Sequence, residues 1–249
     1  MEHEFSRMEM LIGSEGLEKL RNSKVAVFGV GGVGSFVAEA LVRAAIGTIV
    51  LIDMDDIAIT NINRQLHATS KTIGKSKVDV MKHRLLEINP MVDVEAYNET
   101  YNSESADHLL RKDYSYVVDA IDMVSSKIDL VVRCKGMGIP IISCMGAGNK
   151  LNPAMMEVAD IYSTSVCPLA KVMRRELRKR EVDELKVIYS KEPPMKPNLL
   201  EDNCCHELKN EDGGNTSWVR RNTPGSVSFV PPVAGFIMAS ELVKDILGM

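Results

Sequence analysis

Val25-Ala-Val-Phe-Gly-Val-Gly-Gly-Val-Gly-Ser35 is the stretch from which the fold of this chain can be predicted. An apolar, β-branched run ends at Gly29, and a second apolar run with helical spacing covers residues 36–46, so the pattern predicts a strand, a tight turn and a helix. Gly29 lets the chain reverse, Gly31 lets backbone amides approach a phosphate, and Gly34 lets the helix pack closely on the strand. The helix N-terminus would direct free N–H groups at an anion, which predicts a nucleotide site without identifying the nucleotide.

Strands and helices continue to alternate beyond this turn. Further strands are predicted at residues 48–53, 92–97, 116–122 and 140–144. Further helices are predicted at residues 15–21, 75–89, 103–111 and 125–136. This alternation of strands and helices predicts an α/β fold with a doubly wound, mostly parallel sheet over residues 20–150. Gly47 is expected to end the helix that precedes the second strand.

Three segments of one globular unit make up the chain in this interpretation. Residues 1–22 are an N-terminal arm and helix, residues 23–150 are a Rossmann-like nucleotide-binding region, and residues 151–249 are a C-terminal region. The arm could be a floppy end or could pack on a partner. The C-terminal region contains two strands around a basic helix that starts at Pro168, a loop at residues 191–222 that is predicted to be mobile, and an apolar closing helix.

Composition limits the class of protein. The chain has 249 residues, 45% of them hydrophobic, which is enough for one large domain with a full core. The net charge of −4 provides no general attraction to nucleic acid, so any RNA contact must use a local basic patch. Five cysteines, an odd number, do not form a disulfide framework in a chain of this size. The N-terminus lacks the basic and apolar parts of a secretory signal, so a cytoplasmic protein is expected.

Polar residues after the second strand indicate which nucleotide is bound. Asp53 lies at the end of that strand, where an acidic residue that binds ribose is expected. Two cations and three amides follow, namely Asn61, Asn63, Arg64, Gln65 and Lys77. Such a set suits a triphosphate, whose added negative charge must be neutralised. Asp122, at the carboxyl end of the fourth strand, is placed to hold Mg²⁺ against the phosphates, so ATP is favoured over the NAD of a dehydrogenase.

This set of residues resembles the ubiquitin-activating superfamily, which includes the molybdopterin-synthase and thiamine-biosynthesis adenylyltransferases. The matching positions, within residues 5–150, are Gly29, Gly31, Gly32, Gly34, Asp53, Asp55, Asn61, Asn63, Arg64, Gln65, Lys77, Asp119 and Asp122. The resemblance implies that a carboxylate attacks the α-phosphate of ATP, which gives an acyl-adenylate and pyrophosphate.

The resemblance also implies a role for each charged residue. Arg64 and Lys77 would stabilise charge on the phosphates, Asp53 would bind the ribose, and Asp122 would bind the metal ion. Arg7 falls where members of the superfamily present an arginine to the phosphates of the opposite subunit. A homodimer is therefore implied, with Arg7 in a role like that of an arginine finger.

Within the superfamily, nearly the whole chain resembles the tRNA threonylcarbamoyladenosine dehydratases. The resemblance depends on Phe5-Ser-Arg-Met-Glu-Met-Leu-Ile-Gly13, Ser165-Val-Cys-Pro-Leu169 and Gly225-Ser-Val-Ser-Phe-Val-Pro-Pro-Val-Ala-Gly235. It implies that the threonyl carboxylate of N6-threonylcarbamoyladenosine in tRNA is adenylated and that an amide nitrogen of the same modification displaces AMP. The product would be the cyclic hydantoin form, with net loss of water.

Two other functions are open at this stage. One is an adenylyltransferase that activates the C-terminus of a ubiquitin-like sulfur-carrier protein. Such enzymes often hold a structural zinc with two Cys-x-x-Cys pairs, which this sequence lacks, so no structural zinc is expected. The other is a catalytically silent binding subunit or an NAD-dependent enzyme that uses the same turn. The presence of Arg64, Lys77 and Asp122 argues against a silent subunit. A monovalent cation beside the ATP is also left open.

Three weaker signals lie in the C-terminal region. A basic cluster could contact tRNA or could form a solvated helix face, and it comprises Lys171, Arg174, Arg175, Arg178 and Lys179. Cys167 precedes this helix and could be a thioester or persulfide cysteine, which would imply a cysteine-desulfurase or sulfur-acceptor partner. Cys204-Cys205-His206 could bind a metal, although adjacent cysteines without a second pair are more often incidental.

Overall fold

A single sheet of seven strands runs through the computed structural model, which describes residues 3–198 and 224–249. The strands are β1 (Lys24–Phe28), β2 (Thr48–Ile52), β3 (Asp93–Tyr97), β4 (Tyr116–Asp119), β5 (Ile141–Cys144), β6 (Met156–Asp160) and β7 (Lys186–Ser190). Their order across the sheet is β3-β2-β1-β4-β5-β7-β6. All neighbours pair in parallel except β6, which pairs antiparallel with β7. The predicted doubly wound, mostly parallel sheet is confirmed.

Helices cover both faces of this sheet. They are α1 (Ser6–Arg21), α2 (Gly34–Arg43), α3 (Lys77–Ile88), α4 (Ala106–Leu109), α5 (Val124–Met137), α6 (Pro168–Arg178) and α7 (Val230–Leu247). One apolar core lies between the sheet and α2, α3 and α7, and it contains Val25 and Val27 of β1. The other lies between the sheet and α4, α5 and α6, and it contains Ala26 and Phe28. Because successive side chains of a strand point to opposite faces, β1 contributes to both cores and is almost entirely apolar.

The N-terminal arm is more helical than the sequence pattern predicts. α1 begins at Ser6, whereas the pattern predicts a helix only from residue 15. The helix is interrupted at Gly13, whose backbone is not helical and has a φ of 72°. This break divides the apolar pattern into two short pieces, which explains why the first piece was not predicted. Phe5 is buried at the start of α1 and packs with Leu17 and Ala45, so residues 6–13 are not a floppy end.

Two boundaries near the nucleotide-site residues differ from the prediction. β4 ends at Asp119, so Asp122 lies in the loop before α5 rather than in the strand. Gly47 does not end α2, because the residue in the left-handed conformation there is Ala45, with a φ of 67°. A β-carbon at Gly47 would lie 1.8 Å from the carbonyl oxygen of Arg21. Gly47 is therefore required for the close passage of the α2–β2 connection against the end of α1.

The C-terminal region continues the same sheet. β7 pairs with β5, β6 forms the edge, and α7 packs on α2. Residues 199–222 of the loop predicted to be mobile lie outside the described residues, and with them the candidate metal ligands Cys204, Cys205 and His206. Within residues 3–198 and 224–249, every helix is too short or too polar to span a lipid bilayer.

The turn after β1 brings backbone atoms closer together than a side chain would allow. Gly29 has a φ of 91°, and a β-carbon on it would lie 2.6 Å from the carbonyl oxygen of Ala120. A β-carbon on Gly34 would lie 1.8 Å from the carbonyl oxygen of Gly29. These two glycines allow the first turn of α2 to lie directly against the end of β1, and that end to lie against the loop after β4.

We expect Gly34→Ala to lower the free energy of unfolding by roughly 2–3 kcal/mol, because the new methyl group would overlap the carbonyl of Gly29. Gly136→Ala in the exposed part of α5 is the matched control, since no atom lies within 4 Å of the added carbon. Alanine there should stabilise the protein by roughly 0.5–1 kcal/mol. Urea denaturation of the two variants provides the measurement, and equal effects in both would contradict the close-approach argument.

Candidate nucleotide-binding site

A large cleft lies at the carboxyl ends of the central strands. Its volume is about 940 Å³, and it opens between the glycine turn, residues 53–65, the β4–α5 loop, residues 144–148 and residues 224–226. β1 lies between β2 and β4 in the sheet, so the strand order reverses at this point. Doubly wound sheets bind ligands at such a reversal, because the two neighbouring connections leave on opposite faces and open a crevice.

The glycine turn presents backbone to this cleft. Gly29, Gly31 and Gly32 line it, and Gly31 has no atom closer than 3.8 Å to the position of an added β-carbon. The turn is fixed by Asp53, whose carboxylate accepts a hydrogen bond of 2.7 Å from the backbone N–H of Val30. Gly34 is buried beneath the turn and is not among the lining residues. Gly34 is therefore placed to permit packing, as the sequence predicts, and Gly31 leaves the space that the predicted approach of a phosphate requires.

Lys77 lies on the wall of the cleft between two carboxylates. Its Nζ is 2.6 Å from Asp55 Oδ2 and 3.6 Å from Asp53 Oδ1. The Lys77 side chain is only 6% exposed, whereas that of Asp55 is 57% exposed. A buried ammonium requires such partners, because an uncompensated charge inside a protein is costly. All three residues line the cleft, as the sequence predicts for a ribose and phosphate site.

Arg64 reaches the same cleft from the loop after β2. Its guanidinium donates to the carbonyl oxygen of Thr60 at 2.8 Å and to Asn63 Oδ1 at 3.0 Å. Asn63 does not line the cleft, and its own amide donates to the carbonyl oxygen of Ser226 at 2.9 Å. Asn63 therefore ties the loop to residues 224–226, which form another wall of the cleft. Sequence reasoning missed this wall, because it comes from a distant part of the chain.

Two further residues of this loop have buried amide groups. The Asn61 side chain accepts a hydrogen bond of 3.0 Å from the backbone N–H of Ala58 and thereby shapes the loop. Gln65 is buried beside Gly31, and its Oε1 has no hydrogen-bond partner. Both residues line the cleft. An unsatisfied buried oxygen at the edge of a cleft is free to accept a bond from a ligand or from water.

Asp122 is exposed and lines the cleft from the β4–α5 loop. Its position fits Mg²⁺, which takes oxygen ligands and is usually held by one or two carboxylates, substrate phosphates and water. Among the described residues, no group of three or more His, Cys, Asp or Glu side chains is close enough together to hold a metal ion alone. Metal binding through Asp122 would therefore depend on phosphate oxygens as further ligands.

His67 is a buried neighbour of Lys77 that sequence reasoning missed. Neither ring nitrogen has a hydrogen-bond partner. Burial, with the positive charges of Lys77 and Arg84, lowers the pKa of His67 to about 4. The imidazole therefore remains neutral near pH 7 and adds no positive charge beside Lys77. A lone histidine in a mostly polar stretch of sequence provides no signal from which its burial beside Lys77 could be predicted.

The remaining predicted residues lie outside the lining of the cleft. Arg7 is exposed on α1. Cys167 is only 2% exposed at the N-terminus of α6, and its Sγ would lie 3.5 Å from a β-carbon on Gly146, which lines the cleft. The thiol is thus next to the cleft but covered by other residues.

The basic cluster on α6 is divided between inward and outward contacts. Arg174 donates to the carbonyl oxygen of Thr164 at 3.0 Å, and Arg178 lies 5.0 Å from the ring centre of Tyr162. Glu176 forms ion pairs with Arg175, Lys179 and Arg180. Lys171 is exposed. Fewer cations are therefore free to contact an RNA phosphate than the sequence suggests, since some pair with Glu176 and others contact uncharged groups of the protein.

Comparison with known proteins shows that nearly the whole chain is similar to one protein family. A model of the ThiF family matches residues 5–249. The tRNA threonylcarbamoyladenosine dehydratase of Bacillus subtilis is 46% identical over 250 residues, which cover 99% of this chain and 96% of that protein. A sulfur carrier protein adenylyltransferase of Thermus thermophilus is 40% identical, but over only 111 residues, or 45% of this chain and 41% of the relative.

Solved structures of one such dehydratase are also similar to this chain. The crystal structure of Escherichia coli tRNA N6-threonylcarbamoyladenosine dehydratase in complex with AMP has a TM-score of 0.84 and 31% identity to this chain. The structure of the same enzyme in complex with ATP has a TM-score of 0.84 and 30% identity. Each comparison covers 98% of this chain and 94% of the other. The similarity therefore includes the cleft and the C-terminal region alike.

Proposed function

The chain belongs to the ThiF family, and on this premise we propose that it is an ATP-dependent cyclising dehydratase acting on N6-threonylcarbamoyladenosine in tRNA. The observation that carries the proposal is its similarity over nearly the whole chain to enzymes with that name, two structures of which hold ATP or AMP. The sulfur carrier protein adenylyltransferase of Thermus thermophilus is more distant, since its similarity covers only 45% of this chain. Activation of a sulfur carrier is therefore the weaker alternative.

The cleft suits the first chemical step, which is adenylation. A carboxylate oxygen of the threonyl group attacks the α-phosphorus of ATP, an O–P bond forms, and the bond to pyrophosphate breaks. Lys77 and Arg64 both line the cleft and are suited to neutralise the charge that develops on the phosphates. When bound, Mg²⁺ supplies further neutralisation, and Asp122 would hold it. Asp53 is available for the ribose, although one of its oxygens also supports the glycine turn.

The second step closes the ring. An amide nitrogen of the modification attacks the acyl carbon, AMP leaves with the electrons of the C–O bond, and the nitrogen loses its proton. The oxygen removed from the carboxylate leaves on AMP, so the net change in the nucleoside is loss of water. Both reacting groups belong to the same modified nucleotide, and the step therefore needs orientation and exclusion of water more than a nucleophile from the protein.

The homodimer is a proposal that the surface of α1 supports. Arg7 is exposed and does not line the cleft of its own chain. Met10 and Leu11 of the same helix are 84% and 81% exposed, which is unusual for large apolar side chains that lie next to each other. A second copy of the chain that covered these residues would bring Arg7 towards a neighbouring cleft, where its charge could act on the phosphates.

Contact between α6 and tRNA is also a proposal. The exposed cations include Lys171 and Arg175 of this helix and Lys179 directly after it. The N-terminus of α6 is next to the cleft. Cytoplasmic location and a monovalent cation beside ATP stay predictions from the sequence. A sulfur-relay partner would require Cys167 to become accessible from its buried position.

We expect release of AMP and pyrophosphate only when tRNA carrying threonylcarbamoyladenosine is supplied. Lys77→Ala should lower kcat by about 100-fold or more, because it removes a cation that stabilises charge in the transition state. Lys75→Ala is the matched control, since Lys75 is exposed and does not line the cleft. Mass spectrometry of the tRNA nucleosides identifies the hydantoin product. Pyrophosphate exchange with a sulfur-carrier protein alone would instead favour the alternative function.

Mixing Arg7→Ala protein with Lys77→Ala protein tests the proposed dimer. Each variant alone should be nearly inactive, whereas exchange of subunits should create heterodimers with one intact site. A one-to-one mixture would then regain about a quarter of the wild-type activity, since half of the dimers are mixed and each has one working site of two. Activity of Arg7→Ala protein near the wild-type level, or no recovery after proven subunit exchange, would exclude donation of Arg7 across an interface.

Reversing charge on α6 tests its contact with tRNA. Lys171→Glu with Lys179→Glu should raise KM for tRNA by about tenfold and leave KM for ATP unchanged, because phosphate contacts depend on positive charge. Lys112→Glu is the control, since this exposed lysine precedes β4. It therefore lies at the amino ends of the strands, whereas the cleft lies at their carboxyl ends. Steady-state kinetics with each substrate distinguishes the outcomes, and equal KM values for tRNA in all three proteins would rule out the contact.

A further inference from the structure

A fully buried ion pair lies directly behind the β4–α5 loop. Lys127 of α5 and Asp119 at the end of β4 both have no exposed side-chain surface, and Lys127 Nζ is 2.9 Å from Asp119 Oδ2. The hydroxyl of Ser143 on β5 donates to the same carboxylate oxygen. Three neighbouring elements, β4, β5 and α5, thus meet at one carboxylate beneath the cleft.

This network holds one residue of the loop by both of its backbone groups. The N–H of Ile121 donates to Asp119 Oδ1 at 3.2 Å, and Lys127 Nζ donates to the carbonyl oxygen of Ile121 at 3.1 Å. The peptide bond that contains this carbonyl leads directly to Asp122, which is exposed in the cleft. Ala120, the residue before Ile121, lies against Gly29 of the glycine turn. The position of Asp122 relative to the turn therefore depends on Lys127 and Asp119.

Stability alone is a weak explanation for such a pair. Removing two charges from water is costly, and apolar replacements of buried ion pairs are often neutral or even stabilising. An ammonium that also binds a loop carbonyl adds an orientation that an apolar side chain cannot provide. A geometric function for the pair accounts for these contacts.

We propose that Lys127, through Asp119 and Ile121, is a positioning residue that holds Asp122 in place to bind the metal ion of Mg·ATP. The inference rests on the proposed function, because it takes Asp122 as the metal-binding carboxylate. Lys127 itself touches neither nucleotide nor metal ion. Its removal would leave the carboxylate of Asp122 intact and alter only where that carboxylate is held.

The test is a double-mutant cycle measured by binding rather than by turnover. Calorimetry gives the Kd for ATP with Mg²⁺ and with EDTA, for the wild type, Lys127→Met, Asp122→Asn and the double variant. We expect Lys127→Met to reduce the gain in ATP affinity from Mg²⁺ by about tenfold and to leave the affinity in EDTA nearly unchanged. The double variant should bind Mg·ATP no more weakly than the weaker of the two single variants. Such non-additivity is expected only if both residues act on the same interaction.

Lys186→Met is the matched control, because Lys186 also forms an ion pair, with Asp245 at 2.6 Å, but at the start of β7 away from the cleft. It should leave the Mg²⁺ dependence unchanged. Ser143→Ala, which removes only one hydrogen bond from the network, should reduce the gain from Mg²⁺ by about two- to threefold. This milder variant keeps the test decisive if Lys127→Met does not fold.

The outcomes separate the inference from the proposed function. If Asp122→Asn reduces the gain from Mg²⁺ but Lys127→Met and Ser143→Ala do not, or if the effects of Lys127→Met and Asp122→Asn simply add, the positioning role is wrong and the proposed function is unaffected. If Asp122→Asn has no effect on the gain from Mg²⁺, the assignment of Asp122 in the proposed function is wrong, and the inference that rests on it is wrong as well.

Discussion

The first turn of α2 lies so close to the end of β1 that no side chain fits between Gly34 and the carbonyl oxygen of Gly29. This approach fixes the direction in which α2 leaves the sheet, and with it the helix N-terminus that faces the cleft. The end of β1 also lies against the carbonyl of Ala120, and Asp53 fixes the turn from the side of β2. Three connections of the sheet thus depend on one another through contacts with backbone groups. These connections carry the charged side chains of the cleft.

The cations around the cleft are each held by acceptors from the protein. Lys77 is held by Asp53 and Asp55, Arg64 is held by a carbonyl oxygen and an amide, and Lys127 is held by Asp119. Paired in this way, a cation can lie in a partly buried wall without the large cost of an isolated charge. A bound phosphate would then replace some of the protein acceptors of these cations, and no additional cation would have to be buried. Among the described residues, Arg64 and Lys77 are the cations that line the cleft. Lys127 is fully buried and contacts only groups of the protein.

The order of strands and helices and the type of sheet could be predicted because apolar periodicity is a property of neighbouring residues. Predictions failed where a single contact or a single residue sets a boundary. Gly47 was expected to end a helix, but its small size is needed against the carbonyl of Arg21. The strand that was expected to reach Asp122 ends at Asp119, because the Asp119 carboxylate binds the following backbone and turns the chain. The first part of α1 was missed because Gly13 divides its pattern.

The charged and glycine positions around the cleft follow from the sequence alone, since their spacing along three βα units places them at the same edge of a parallel sheet. The resemblance to the family rests on the same positions, and the family model that matches residues 5–249 confirms it. Tertiary structure was needed for the partners of these residues. Asn63 binds the carbonyl of Ser226 across 163 positions, and Lys127, which reads as an ordinary helix cation, is fully buried against Asp119. Such pairs form only after the sheet has brought distant segments together, so no local pattern contains them, and they determine how Asp122 and the cleft wall are held.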